Sequence, residues 1–91
     1  MVKERTNRQR KNLIQETAQK SLILYNDDVN TFDHVIECLV EICEHEPEQA
    51  EQCAIIVHYK GKCAVKSGTY ESLLPLTEAL LNRGLTAAIE E

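Results

Sequence analysis

The chain has no Trp, one Phe and three Tyr among 91 residues. Whatever core it builds must be aliphatic, from Leu, Ile, Val, Ala and Cys. No apolar run approaches the roughly 20 residues needed to cross a bilayer. The first twenty residues hold none of the hydrophobic stretch of a secretory signal. These absences argue against a membrane partner and point to the cytoplasm. Gly61, Gly68 and Gly84 stand isolated, so no glycine-rich loop can cradle a phosphate. There is no Gly-x-Ser-x-Gly nucleophile motif. Cys38, Cys43, Cys53 and Cys63 form no Cys-x-x-Cys pair, and their spacing to the histidines suits no common zinc site. They read as small core residues kept reduced, not as a disulfide framework. An enzyme, a cofactor and a bound metal are therefore not expected.

What is present fits one small domain. Its charge is split. Residues 1–20 carry six basic and two acidic side chains, whereas residues 21–91 carry four basic and thirteen acidic ones. The acidic part should repel nucleic acid. Residues 1–20 read as a flexible N-terminal extension, and residues 21–91 as the folded domain.

Ser21–Tyr25 is a continuous apolar run of strand length, followed by the turn-forming Asn26-Asp27-Asp28. Phe32, Val35, Ile36, Leu39, Val40 and Cys43 then recur with helical period, behind a cap at Asn30 or Thr31. Pro47 is expected to stop this helix and to open a second, residues 47–59, ended by Gly61. Lys62–Ser67 alternates as a half-buried strand. Thr69 opens a third helix with Leu73, Leu74, Thr77, Leu80 and Leu81 facing inward. Pro75 inside it predicts a kink or a late start. Gly84 ends that helix, and Leu85, Ala87 and Ile89 alternate as a last strand. The order β-α-α-β-α-β predicts an α+β two-layer sandwich, a three-stranded sheet packed against three helices.

The most polar cluster, Asn26-Asp27-Asp28, lies between a strand and a helix, where sites gather. Taken alone, it also suits a plain turn. Neighbouring carboxylates in one turn give neither a calcium loop nor the acid pair of a glycosidase. His58 near the end of the second helix suits that helix terminus as well as a site. Phe32 and Val35 follow the acidic turn. An acidic rim beside an apolar hole would suit a ligand with a cationic head and a greasy side chain.

Two stretches carry a specific resemblance. LILYNDDVNTFDHVIECL and AIIVHYKGKC resemble the two signatures of the ClpS family, N-end-rule adaptors of ATP-dependent Clp proteases, and the terminal LTAAIEE is similar to that family's last strand. The resemblance covers Ser21 to Glu91. It implies an adaptor, not an enzyme. Such an adaptor binds substrates beginning with Leu, Phe, Tyr or Trp and hands them to the N-terminal domain of a Clp AAA+ unfoldase of ClpA or ClpC type.

It further implies that Asn26, Asp28 and neutral His58 surround the substrate's α-ammonium, three acceptors for three donors. Asp27 is implied to bond the backbone just after the first residue. The side-chain pocket carries over to Leu24, Phe32, Val35, Ala54, Val57 and Leu85, with Asn30 on its rim. Glu71 matches an acidic position used for unfoldase contact. Phe32 stands where the family often has a Met that screens out branched side chains, and Ala54 where a larger Met or Leu is common. Thr31 replaces a frequent Pro, and Leu76 falls where a basic residue is usual. The same architecture occurs in the C-terminal domain of the ribosomal stalk protein, the alternative reading as a protein interaction module. That domain lacks the Asn-Asp-Asp and His pairing.

Overall fold

The computed structural model describes residues 18–91, so most of the expected N-terminal extension lies outside the described residues. The elements are β1 (Lys20–Tyr25), α1 (Phe32–Cys43), α2 (Pro47–Lys60), β2 (Lys62–Gly68), α3 (Tyr70–Asn82) and β3 (Thr86–Glu90). The fold is α+β in the expected order. β1 starts at Lys20, which pairs with Gly68 and whose ammonium donates to Glu91 at 2.7 Å. Among the described residues no helix is long and apolar enough to cross a membrane.

The sheet order is β2-β1-β3, antiparallel throughout. β1 takes the centre because its alternate residues Leu22 and Leu24 are the most buried of the strands. Leu39 and Cys43 of α1, Ala50 and Val57 of α2, and Leu73 and Leu80 of α3 pack with them. Burying one such leucine is worth about 1.5–3 kcal/mol, so this aliphatic layer supplies the main driving force for folding.

Local chemistry sets the helix ends. Thr31, not Asn30, caps α1, its hydroxyl accepting from the His34 N–H at 3.1 Å. Thr69 caps α3 in the same way through Ser72. Pro47 takes the first turn of α2, as expected. It does not stop α1, which ends earlier. Glu44 adopts a left-handed conformation (φ 57°), and the His45 N–H returns to the Leu39 carbonyl. The cause lies across the fold. A bulge in the β1–β2 ladder falls between Leu22 and Ile23, whose partners Lys66 and Ala64 leave Val65 unmatched. The Val65 carbonyl accepts from Nε2 of the buried His45. Pulling His45 into the core turns the chain at Glu44.

α3 begins at Tyr70 despite Pro75, so the late start does not occur. Only its narrow stripe of Leu73, Thr77 and Leu80 is buried. Leu74 and Leu81, expected to face inward, are exposed. A three-stranded sheet is too narrow to cover a wider face of its third helix.

Candidate functional site

One end of the sheet gathers three connections: the β1–α1 turn (residues 26–31), the α2–β2 turn at Gly61, and the α3–β3 turn at Gly84. Gly61 and Gly84 have φ of 92° and 87°, a backbone region that other residues enter only at a cost. The β1–α1 turn ties itself to both. The Asn26 N–H donates to the Gly61 carbonyl at 2.9 Å, and the Asn30 side-chain amide donates to the Gly84 carbonyl at 2.9 Å. His34 of α1 adds a third tie, its Nε2 donating to the Arg83 carbonyl at 2.8 Å. Arg83 in turn reaches Glu41 at 2.9 Å. Leu85, just beyond Gly84, is thereby held against the start of α1.

Between these turns lies a cavity with about 40 Å³ open to the centres of water molecules. That is room for about three waters, close to the volume of one branched aliphatic side chain. Its apolar lining is Leu24, Phe32, Val35, Ala54, Val57 and Leu85, and its polar lining includes Asn26, Asp27, Asn30 and His58. Leu24, Ala54, Val57 and Leu85 are buried, while Phe32 is 41% exposed and stands at the mouth. The Phe32 and His58 rings face each other with centroids 5.3 Å apart, tilted by 54°. Tyr59 meets His58 edge-on at 4.9 Å and is otherwise open to solvent.

Every residue named for the apolar pocket thus lies around one hollow, joined by Asn26, Asp27, Asn30 and His58. Asp28 does not line it. It stands exposed in the adjoining turn. Glu71 sits apart, exposed in the first turn of α3. Tyr25, unnamed from sequence, also lines the cavity. Its position between Leu24 and Asn26 was the available signal.

Asp27 has a second task. Its carboxylate accepts from the Val29 N–H at 3.1 Å, the Asn30 N–H at 3.0 Å and the Asn30 amide at 2.9 Å. Burial works to raise its pKa. The Asn30 and Val29 donors, with the positive field of His34, outweigh that and hold it below the usual 3.8. Asp27 therefore shapes the turn and carries negative charge to the cavity edge. The acceptors around the cavity, amide and carboxylate oxygens with one imidazole, suit a cation that donates hydrogen bonds. Among the described residues no group of three or more His, Cys, Asp or Glu could hold a metal ion.

The family model for the ATP-dependent Clp protease adaptor protein ClpS matches residues 15–87. The ClpS adapter of Thermosynechococcus vestitus is 40% identical over 68 residues, covering 74% of this chain and 72% of that protein. The E3 ubiquitin-protein ligase UBR1 of Drosophila melanogaster is 32% identical over 66 residues, covering 72% of this chain but only 4% of that much longer protein. A solved structure of Agrobacterium tumefaciens ClpS2 bound to L-phenylalaninamide has a TM-score of 0.68 at 17% identity, over 79% of this chain and 94% of that one. That likeness is one of fold. With the sequence match spanning the sheet, the helices and the cavity, the chain belongs to the ClpS family of adaptors of ATP-dependent Clp proteases.

Proposed function

We propose that this adaptor captures proteins by a large apolar N-terminal residue and delivers them to a Clp AAA+ unfoldase. The observation that carries the reading is the pairing of one side-chain-sized apolar cavity with acceptors at its edge. A free α-amino group is an ammonium with three donors. Asn26 offers an amide oxygen, His58 a ring nitrogen, and Asp28 a carboxylate from the exposed turn beside the mouth. Asp27 keeps capacity on its second oxygen for the first peptide N–H of the substrate. The ligand named in the structure of the Agrobacterium tumefaciens relative, an amino-acid amide with a free amine and an aromatic side chain, supports this reading.

Leu, Phe, Tyr and Trp are the first residues this reading takes, with Phe32 at the mouth and Ala54 among the walls setting the preference among them. Delivery falls to α3, where Glu71 lies beside the exposed Tyr70 and Leu74. A patch of this kind would seat the N-terminal domain of an unfoldase of ClpA or ClpC type. Free thiols at all four cysteines support action in the reducing cytoplasm.

The test is a binding titration with a fluorescent peptide that begins with Leu, beside its N-acetylated twin. Acetylation removes the charge and leaves partly buried acceptors unpaired, at about 1–3 kcal/mol each. Affinity should fall well over tenfold. Equal affinity for the two peptides overturns the reading.

A further inference from the structure

Five of the six apolar walls of the cavity stand on regular elements: Leu24 on β1, Phe32 and Val35 on α1, Ala54 and Val57 on α2. Leu85 does not. It falls between the end of α3 and the start of β3, and the first pair of β3 with β1 is Thr86 with Tyr25. The sheet ladder therefore does not hold it. Its own N–H returns to the Leu80 carbonyl at 3.1 Å, and Gly84 before it has a φ of 87°. The two carbonyls just before it are both taken by side chains from one short stretch of chain. The Gly84 carbonyl accepts from the Asn30 amide at 2.9 Å, and the Arg83 carbonyl accepts from Nε2 of His34 at 2.8 Å. Asn30 belongs to the polar edge of the cavity and is itself held by both oxygens of Asp27. His34 lies behind the cavity and lines none of it. It rises from the first turn of α1, where the Thr31 cap fixes its N–H, two residues after Phe32 and directly before Val35. The helix that carries two walls thus reaches across to a third. Arg83 also meets Glu41 and Glu37 of α1, but through exposed side chains, and exposed ion pairs are worth little. The part-buried ring bond to the backbone is the firmer tie.

We infer that His34 is a positioning residue of the site: its bond to the Arg83 carbonyl sets the gap between Leu85 and the α1 walls, and so how closely the cavity grips the side chain of a first residue. The grip is sensitive to that gap. Opening a contact by about 0.5–1 Å forfeits a quarter to a half of its attraction. The acceptors for the ammonium rest on other supports. Asn26 is tied to the Gly61 carbonyl, and His58 stands on α2. Losing the His34 bond therefore loosens the hold on the side chain and spares recognition of the charge. The role belongs to a ring nitrogen that carries a proton, because a carbonyl can only accept. It fits a residue with an N–H at that distance from the backbone, and no apolar ring can fill it.

The consequence for binding rests on the degron reading proposed above, but the tie itself does not, and the experiment separates them. Peptides beginning with Leu or Ala, each also in N-acetylated form, are titrated against the full chain and its variants. His34→Phe keeps a ring and removes the donor. His34→Gln places an amide N–H as many bonds from the backbone as Nε2. His34→Phe should lower the ratio of Leu to Ala affinity about two- to tenfold, the share of side-chain burial that a loosened wall forfeits. The ratio of free to acetylated affinity should stay within about twofold, since that recognition is independent of the wall. His34→Gln should keep the Leu-to-Ala ratio within about twofold of the wild type, because the donor is restored. In a Leu85→Ala background His34→Phe should lower the ratio no further, since both changes act on one wall. An unchanged ratio in His34→Phe, an equal loss in His34→Gln, or an undiminished further loss in the Leu85→Ala background overturns the role. Two readings need no peptide. Nitrogen NMR of the unaltered chain should find the His34 ring proton on Nε2. Exchange of the Leu85 N–H should be about two- to tenfold faster in His34→Phe than in the wild type. Unchanged exchange overturns the tie, and so does a ring proton on Nδ1 alone, even where His34→Phe does not fold. If the unaltered chain cannot tell the free from the acetylated Leu peptide, the degron reading falls, and the ring proton and the exchange rate still decide the tie.

Discussion

Two parts of this surface expose apolar side chains, and they differ in form. At the cavity, Phe32 guards a hollow whose walls are buried and whose edge is polar. On α3, Tyr70, Leu74 and Leu81 stand out from a convex helix, being 51%, 36% and 49% exposed. A hollow with acceptors at its mouth can measure one side chain and require a charge beside it. A convex stripe can only be covered by another surface. Under the proposed function the hollow would read a substrate, and the stripe on a different helix would be where the adaptor is held.

The division predicts that each surface can be broken alone, and the largest effect belongs to the cavity. Replacing Leu by Gly at the first position of the peptide removes burial worth about 1.5–3 kcal/mol, so affinity should fall about 10- to 150-fold. The double substitution Leu74→Glu and Leu81→Glu should leave peptide affinity within about twofold, since surface changes away from a site cost little. It should slow unfoldase-dependent degradation of a Leu-bearing substrate. Peptide titration and a degradation assay on the same preparations check both halves. Loss of peptide binding in the α3 variant collapses the distinction.

His58→Ala comes next. A hydrogen bond to a charged group is worth about 1.5–3 kcal/mol, so the loss should be about tenfold or more. Peptide titrations with wild type and variant at one pH decide this. A variant with wild-type affinity removes His58 from the site.

Phe32 sharpens the comparison within the cavity. Val and Ile branch at Cβ, near the mouth, and have little rotamer freedom to avoid a ring there. Phe32→Ala should let in peptides beginning with Val, raising their affinity several-fold toward that for Leu, while Leu itself loses only a few-fold. A peptide panel differing in the first residue measures it. An unchanged ranking makes Phe32 an ordinary member of the α1 stripe.

These contrasts also mark what was legible in the sequence. The six elements could be read because period and turn chemistry are local; the residues themselves placed Phe32 and Val35 beside the acidic turn, and the rest of the named apolar lining came from the resemblance to the ClpS family. Phe32 and Val35 open the α1 stripe, Ala54 and Val57 lie on the α2 stripe, and Gly61 and Gly84 mark the turns. Long-range causes could not be read. α1 ends at Cys43 because a bulge elsewhere frees the Val65 carbonyl for His45, and no glycine at residue 44 announces it. Leu74 and Leu81 match an inward stripe by period, but the width of the sheet decides how much of that stripe is covered. Asp27 shows a third kind of gap. Its residue type marks a polar site, yet whether its oxygens face a ligand or its own turn depends on where Asn30 points.

That last ambiguity leads to the smallest expected effect. The Asp27 carboxylate binds the Val29 and Asn30 N–H groups and the Asn30 amide, and the same amide holds the Gly84 carbonyl beside Leu85. In Asp27→Asn, an NH2 group would face the Asn30 donors and the link to Gly84 would loosen. The variant should be modestly less stable at neutral pH and should bind the Leu peptide a few-fold more weakly. The pH dependence identifies the charge as the cause. Asp27 has a folded pKa held below 3.8. A depressed carboxylate stabilises the fold fully above its unfolded value and loses that contribution as the pH falls through the folded one. The gap in urea midpoint between wild type and variant should therefore stay constant from pH 8 to about pH 5, then shrink below about pH 4 as the wild type is protonated. Urea titrations at pH 7, 5 and 3 are enough to see it. If the gap closes already between pH 7 and 5, the titrating group is not Asp27. If there is no gap at pH 7, its hydrogen bonds do not stabilise the turn, and the carboxylate is free to serve a substrate.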